Sequence, residues 1–230
     1  MIRYRKGKSP KELDEAAATP GANWATGFHE RDAVREAVVR DQRGLCAYCQ
    51  RRITADDQHR PQSQRMKIEH WMPRSHPSAG ADAQFRWTNL LGVCSGASGR
   101  ERHCDTHRGD ATLFLHPVDG EGPDPRAHLH YEDNRTGNDR DKDGGIKVVS
   151  AKADDRVKND IKVLNLNASV LKRGRSEALE GFKRLAAKKQ YDSGALRRQL
   201  DDYEQRSTAP EYFEVIRAYI QRKLRQQPRN

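Results

Sequence analysis

The sequence is poor in apolar and aromatic residues and contains no long apolar run. Hydrophobic residues make up 34% of the 230 residues, aromatic residues 7% and charged residues 33%. No segment approaches the roughly 20 apolar residues of a membrane-spanning helix, or the apolar stretch of a secretory signal peptide. We therefore expect a cytoplasmic protein with no membrane partner. Its core should be modest, so that a bound metal ion or a protein partner would add to its stability.

Cysteine is also scarce, and the four cysteines form two pairs, Cys46 with Cys49 and Cys94 with Cys104. Disulfides are rare in the cytoplasm, whereas two such pairs are typical of a structural zinc site. The nine residues between the second pair exceed the roughly two to four of a compact zinc site. The sequence therefore predicts a four-cysteine zinc site, with His103 or His107 as an alternative to Cys104.

Positive charge is in excess and is concentrated in the last third of the chain. The formal net charge is +10 and the pI is about 9.6. Residues 155–230 contain 18 Lys and Arg against 10 Asp and Glu. A basic protein suits a polyanionic partner, and we expect the substrate to be a nucleic acid.

The first 45 residues are predicted to form a basic lead-in followed by a helix. Residues 1–28 are expected to be irregular, with Trp24 and Phe28 as anchors. From about residue 29 to residue 43 a helix is predicted by an apolar stripe, which consists of Val34, Ala37 and Val38. Gly44 then follows as a stop signal.

The next segment, residues 46–153, is predicted to hold the site. Cys46 and Cys49 should lie on one tight turn with their thiolates converging. Apolar side chains alternate from Met66 to His70 along a short strand. The segment WTNLLGVC should return beside this strand and deliver Cys94.

Three further strands and a turn are predicted after the cysteines. TLFLHP is expected to be a strand that ends at Pro117, and AHLHYE and IKVVS are expected to form a small antiparallel sheet. Between the last two, DRDKDGGI matches the start of an EF-hand loop at Asp139, Asp141, Asp143 and Gly144. Ser150 stands where a bidentate glutamate is needed, so we predict a turn there rather than a calcium site.

Residues 154–230 are predicted to be helical and to dock a protein partner. Apolar residues with helical spacing are Leu171, Leu179, Phe182 and Leu185, then Leu196, Leu200 and Tyr203, and finally Phe213, Ile216, Ile220 and Leu224. Thr208 and Glu211 are expected to form a capping box around Pro210 at the start of the last helix. The docking prediction rests on the surplus of cations in a region without a catalytic motif.

The order of the motifs resembles a known family. CxxC, EH-x-x-P, NL and CD-x-x-R, in this order, resemble an HNH endonuclease of the ββα-metal type. The whole chain, including AYCQ and the helical tail near LNLN, resembles the HNH member of Septu-type anti-phage defence pairs. The resemblance implies an α+β fold, with a zinc-stapled ββα-metal core, a small antiparallel sheet and a helical C-terminal region. It also implies an SMC-like ATPase, encoded alongside, as a partner.

Four residues carry the chemistry that such a nuclease needs. A histidine near its free pKa can take a proton from water, and a hard divalent cation can neutralise charge on the phosphate. The resemblance implies that His70 is the general base and that Asn89 keeps the hairpin loop in register. It implies that Glu69 and Asp105 bind the catalytic ion, with His107 as a further candidate ligand.

Two positions differ from the commonest family pattern. Glu69 stands where Asp is usual, and Asp105 stands where His or Asn is usual. Both are hard oxygen ligands, which favours Mg²⁺ or Mn²⁺ as the catalytic ion. Arg108 takes a place often held by Lys, where it is expected to touch a phosphate.

Two other functions are compatible with parts of the sequence. A non-catalytic, zinc-stapled nucleic-acid-binding module would retain the cysteines, but binding alone does not require Glu69, His70 and Asp105 together. A zinc deaminase needs H-x-E and P-C-x-x-C motifs, and the sequence contains neither. The sequence leaves open whether the substrate is DNA or RNA, since the phosphate backbone is similar in both.

Overall fold

The computed structural model describes residues 1–29, 31–56, 59, 65–98, 101–133 and 145–226. The helices described are α1 (Lys11–Ala18), α2 (Arg31–Asp41), α3 (Asp105–Arg108), α4 (Pro125–His128), α5 (Asp155–Val163), α6 (Ser169–Lys188), α7 (Ser193–Gln205) and α8 (Phe213–Arg225). The strands described are β1 (Met66–His70), β2 (Leu90–Cys94), β3 (Ala97–Ser98), β4 (Glu101–Arg102), β5 (Leu129–Asp133) and β6 (Ile146–Ser150). Short 3-10 turns span Ala81–Gln84 and Trp87–Asn89.

The β1–β2 hairpin lies at the centre of the predicted site. The two strands are antiparallel, with a register that runs from Met66 opposite Cys94 to His70 opposite Leu90. The alternation that predicted β1 is therefore confirmed, and β2 is buried along its whole length. The outer edge of β2 is closed by Gln42, whose side-chain amide accepts from the N–H of Gly92 at 2.7 Å and donates to its carbonyl at 2.6 Å. A closed edge cannot pair with another strand.

The small antiparallel sheet is also confirmed, since β5 pairs with β6. The first strand begins at Leu129 rather than at the start of AHLHYE. Asp124 caps a short helix there by accepting from the N–H of Arg126, and Pro125 occupies the first turn of that helix. The predicted EF-hand-like turn at residues 139–144 lies outside the described residues.

The predicted strand TLFLHP is wrong. Residues 112–117 have no strand partner, because the carboxylate of Asp160 on α5 accepts the backbone N–H groups that a neighbouring strand would have paired. The N–H of Phe114 lies 3.0 Å from both oxygens of Asp160, and that of Leu115 lies 2.7 Å from one of them. A buried carboxylate from a distant helix is not visible in local periodicity.

The C-terminal helices are confirmed as α6, α7 and α8, with α5 before them. The predicted capping box at the start of α8 is wrong. Tyr212 precedes α8 with a left-handed φ of 54° and makes no side-chain cap. Glu211, which was expected to cap the helix, instead accepts from the backbone N–H of Arg52 at 2.6 Å.

The N-terminal segment differs from its prediction in one respect. Trp24 and Phe28 are buried, as predicted. However, KELDEAAA forms the helix α1, of which Leu13 is the one fully buried residue. Its residues are mostly good helix formers, but a single apolar anchor cannot produce a recognisable stripe.

The N-terminal, middle and C-terminal segments all contribute side chains to one continuous buried apolar cluster. Its members include Tyr4, Val38, Leu91, Leu171 and Phe213. None of the large apolar side chains described is exposed. None of the described helices is both long and apolar enough to cross a membrane.

A buried histidine should make stability depend on pH. The ring of His116 packs 4.3 Å from that of Trp71, and its Nδ1 accepts from the N–H of Val118 at 3.1 Å. Burial, with help from the charge of Lys6, lowers the pKa of His116 to about 4. A histidine that folds in the neutral form contributes stability that is complete above pH 6.5 and is lost as the pH falls towards 4.

We predict that this pH-dependent contribution to the free energy of unfolding, roughly 3 kcal/mol at most, is present in the wild type and absent from His116→Asn. Asn keeps an acceptor for Val118 but does not titrate. The free energy of unfolding, measured with denaturant at pH 7.0, 5.5 and 4.5, should fall more steeply in the wild type than in the variant. The exposed His130→Asn is the control and should follow the wild type. Parallel curves for wild type and His116→Asn would contradict the prediction.

Candidate metal centre and active site

The four cysteines lie together in the interior. All four are buried, and their sulfur atoms lie within 4.8 Å of one another. The Sγ atoms of Cys46 and Cys104 are 3.9 Å apart, and those of Cys49 and Cys94 are 3.5 Å apart. Sulfur atoms bound to one zinc ion at about 2.3 Å in a tetrahedron are about 3.8 Å apart. The group can therefore hold a metal ion such as zinc.

Strained backbone turns the cysteines inwards. The first pair lies on a tight turn in which the N–H of Gln50 donates to the carbonyl of Cys46 at 3.1 Å. Gln50 has a φ of 69° and Cys104 a φ of 52°, both in the left-handed region that favours glycine. Gly96 follows the second strand, where a Cβ atom would lie only 1.6 Å from the carbonyl oxygen of His103. Non-glycine residues hold such conformations where the surrounding structure enforces them.

Neither histidine replaces Cys104 in the cluster. The Nδ1 of His107, which is exposed, donates to the carbonyl of Val163 at 2.8 Å. The fully buried His103 lies beside the cluster, with Nδ1 3.2 Å from the Sγ of Cys104, and its Nε2 has no partner among the described residues. The geometry thus favours four thiolates as the ligands, with His103 as a hydrogen-bonding neighbour.

The carboxylates of Glu69 and Asp105 come together at the end of β1 and the start of α3. Asp105 lies close enough to Glu69 to raise the pKa of its carboxyl group, and Lys67 forms an ion pair with Asp105. Burial first, and then the charge of Asp105, raise the pKa of Glu69 to about 7 against the opposing effect of Arg108. Two carboxylates held this close repel each other when both are charged, and a cation between them relieves the repulsion.

His70 has a different set of neighbours from Glu69, as expected of adjacent residues on a strand. Its ring lies edge-on to Trp24 at 5.0 Å, and its Nε2 is 3.0 Å from the carbonyl of Gln84. Because a carbonyl only accepts, Nε2 carries the hydrogen in the neutral ring and Nδ1 keeps its lone pair. Burial lowers the pKa of His70 to about 4, with smaller effects from nearby arginines. The imidazole is therefore neutral at physiological pH.

Asn89 holds both ends of the loop that connects β1 to β2. Its Oδ1 accepts from the N–H of Met72 at 2.7 Å, while its Nδ2 donates to the carbonyls of Ala83 at 2.8 Å and Met72 at 3.3 Å. The loop also carries the carbonyl of Gln84 that orients His70. Asn89 therefore touches the loop rather than the carboxylates.

The expected phosphate contact of Arg108 is wrong. Its side chain is 0% exposed and donates to groups inside the protein, among them Glu69 at 2.5 Å. The hydroxyl of Tyr48 lies 2.7 Å from this guanidinium, a contact that no local pattern in the sequence predicts. Locally, the sequence shows only that Tyr48 lies between the first two cysteines. That position is equally compatible with a side chain that faces the solvent.

We predict that the purified protein carries one tightly bound zinc ion and that Cys46→Ser unfolds at a much lower temperature. Metal binding in such sites contributes directly to folding, by about 10–16 kcal/mol in small zinc domains. Elemental analysis and thermal unfolding measure the two effects. His107→Ala is the control and should retain zinc. Freshly purified wild type without zinc would contradict the prediction.

Comparison with known proteins indicates a nuclease at a general level. No protein-family model matches the chain. The chain is 24% identical over 188 residues to "Retron Vc95 putative HNH endonuclease" of Vibrio cholerae serotype O1 biovar El Tor, covering 78% of this chain and 83% of that protein. It is 27% identical over 136 residues to "Retron Ec83 putative HNH endonuclease" of Escherichia coli, covering 56% of this chain and 46% of that one. The chain thus spans about half the length of this second relative, and it is similar to proteins named as HNH endonucleases.

Proposed function

We propose that the protein is a metal-dependent HNH endonuclease that hydrolyses phosphodiester bonds, with DNA as the favoured substrate and RNA as the alternative. The observation that carries the proposal is the arrangement at the end of β1, where Glu69 lies near Asp105 on one side of the strand and a buried His70, held by the carbonyl of Gln84, lies on the other. Binding of nucleic acid alone requires neither the paired carboxylates nor a buried neutral imidazole. The names of the two relatives support the same activity.

His70 is suited to act as the general base. A base must be unprotonated at the working pH, and burial keeps this imidazole neutral. The bond from Nε2 to the carbonyl of Gln84 fixes the ring and leaves Nδ1 as the proton acceptor. Nδ1 has no hydrogen-bond partner among the described residues, so that a water molecule can be its partner. Asn89 supports this role indirectly, by holding the loop that carries Gln84.

Glu69 and Asp105 fit a hard divalent ion. Their oxygens are the ligand type that Mg²⁺ and Mn²⁺ prefer. A bound ion would supply charge neutralisation at the phosphate and at the departing oxygen. Lys67 is half-exposed beside Asp105, so its ammonium group would be available to a substrate phosphate that approaches this carboxylate. Arg74 is exposed and close enough to lower the pKa of His70, so it adds positive potential on the side of the base.

We predict that His70→Ala reduces cleavage by a factor of about 100 to 10,000, the usual contribution of a general base. The matched control is His130→Ala, which removes an exposed histidine from β5 and should cut at the wild-type rate. The measurement is nicking of a labelled plasmid and of a structured RNA with Mg²⁺, alongside zinc content and thermal unfolding. Wild-type cleavage by a folded His70→Ala would favour a binding module in place of the nuclease.

We also propose a defence role in which an SMC-like ATPase docks on the C-terminal helices. This proposal rests on the resemblance to Septu-type pairs and on the charge of the region. α6 and α8 contribute buried residues to the shared core, such as Leu171 and Phe213, so docking falls to outward-facing side chains. α7 buries Leu196 and Leu200 and exposes the adjacent Arg197 and Arg198.

We predict that Arg197→Glu combined with Arg198→Glu abolishes co-purification with the ATPase while plasmid nicking by the isolated chain remains. The matched control is Arg5→Glu with Lys8→Glu, which makes the same change in net charge on the N-terminal segment. Co-purification of the α7 variant at wild-type stoichiometry would rule out docking at this face. Equal loss in both variants would indicate a non-specific effect of charge.

A further inference from the structure

Arg108 is the most extensively bonded buried charge near the proposed site. Its Nη1 donates to the hydroxyl of Tyr48 at 2.7 Å, to Oε1 of Glu69 at 2.5 Å and to the carbonyl of His70 at 3.1 Å. Its Nη2 donates to the carbonyl of Trp71, and its Nε donates to the carbonyl of Ala111 at 2.9 Å. These acceptors belong to three separate parts of the chain: the cysteine turn, the end of β1 and the end of α3.

The acceptors explain why an arginine is needed here. The planar guanidinium presents its N–H groups in a fixed fork, so it can bind a carboxylate and several carbonyls in defined directions at once. A lysine ammonium would keep the charge near Glu69 but could not reach the same set of acceptors. Because the side chain of Arg108 is fully buried, it acts on the site through other residues rather than on a substrate.

Tyr48 connects this guanidinium to the cysteine cluster. It lies between Cys46 and Cys49, and its ring is completely buried. Its hydroxyl is therefore held in place by the same turn that presents the first two thiolates. The chain of contacts runs from the cysteine turn through Tyr48 and Arg108 to the carboxylate of Glu69.

We propose that Arg108 is a positioning residue that fixes the carboxylate of Glu69. Tyr48 fixes the guanidinium of Arg108 in turn, so that the position of Glu69 depends on the geometry of the cysteine turn. The inference rests on the proposed function, in which Glu69 is a ligand of the divalent ion. In metal sites, residues that orient a ligand typically account for about 10- to 100-fold in metal affinity or activity.

The test compares Arg108→Lys and Tyr48→Phe with a matched control, Arg175→Lys. Arg175 is also a buried arginine bonded to backbone carbonyls, those of Ile146 and Leu166, but it does not contact Glu69. Mn²⁺ affinity is measured by electron paramagnetic resonance on the zinc-loaded protein. Zinc content, thermal unfolding, and kcat and KM on plasmid DNA are measured in parallel.

We expect Arg108→Lys to weaken Mn²⁺ binding by about 10-fold or more and to lower kcat, with KM for DNA and zinc content unchanged. Tyr48→Phe should have a smaller effect in the same direction. Arg175→Lys should lower the unfolding temperature without changing Mn²⁺ affinity, because a purely structural arginine has no link to Glu69.

Wild-type Mn²⁺ affinity in a folded Arg108→Lys would overturn the inference, as would a wild type that binds no Mn²⁺. If Arg108→Lys does not fold, Tyr48→Phe decides, because it removes one hydroxyl only, and wild-type Mn²⁺ affinity there would also overturn the inference. A wild type that binds Mn²⁺ but cuts neither DNA nor RNA would refute the proposed function alone. The positioning role is then decided by the Mn²⁺ affinities of the variants.

Discussion

The convergence of four cysteine sulfur atoms in the interior is the constraint on which the rest of the structure depends. Cys46 and Cys104 are separated by 58 positions in the chain, yet their sulfur atoms lie 3.9 Å apart. In a chain with only 34% hydrophobic residues, an ion bound there would add folding free energy that the apolar core cannot easily supply. The backbone conformations at Gln50 and Cys104 are the local cost of bringing the sulfur atoms together.

The residue that follows the first pair of cysteines extends this constraint to the small sheet and to the last helix. Gln50 donates to the hydroxyl of Tyr131 on β5 at 3.1 Å, and its side-chain oxygen accepts from the N–H of Glu214 on α8 at 2.9 Å. Its own carbonyl accepts from the N–H of Tyr212. The cysteine turn is thus the point where the small sheet and the last helix meet the hairpin. Segments with different compositions therefore contribute to one large cluster of buried apolar side chains.

The proposed chemistry follows from placing two kinds of group on either side of one short strand. Glu69 faces Asp105 and the buried guanidinium of Arg108, where burial and like charge raise its pKa to about 7. The next residue, His70, faces Trp24 and the carbonyl of Gln84, where burial lowers its pKa to about 4. The two shifts have opposite directions in adjacent residues, so burial favours the neutral form of both side chains. Perturbed groups of this kind are concentrated at functional sites.

The sequence alone determined the elements and residue types that depend on local pattern. These include the cysteine pairs, the alternation along β1, the apolar stripes of α2 and the C-terminal helices, and the acid–histidine doublet at Glu69 and His70. Each is written within a few residues, because strand alternation, helical spacing and metal-ligand spacing are local properties.

Only the tertiary structure decided what depends on partners far away in the chain. It placed Cys104 rather than His107 at the cluster, and it buried Arg108 against Tyr48 and Glu69 instead of exposing it to a phosphate. In the expected strand TLFLHP, backbone N–H groups donate to the carboxylate of Asp160 instead of to a neighbouring strand. Local periodicity carries no information about a side chain that arrives from 45 or 60 positions away and satisfies a buried donor or acceptor.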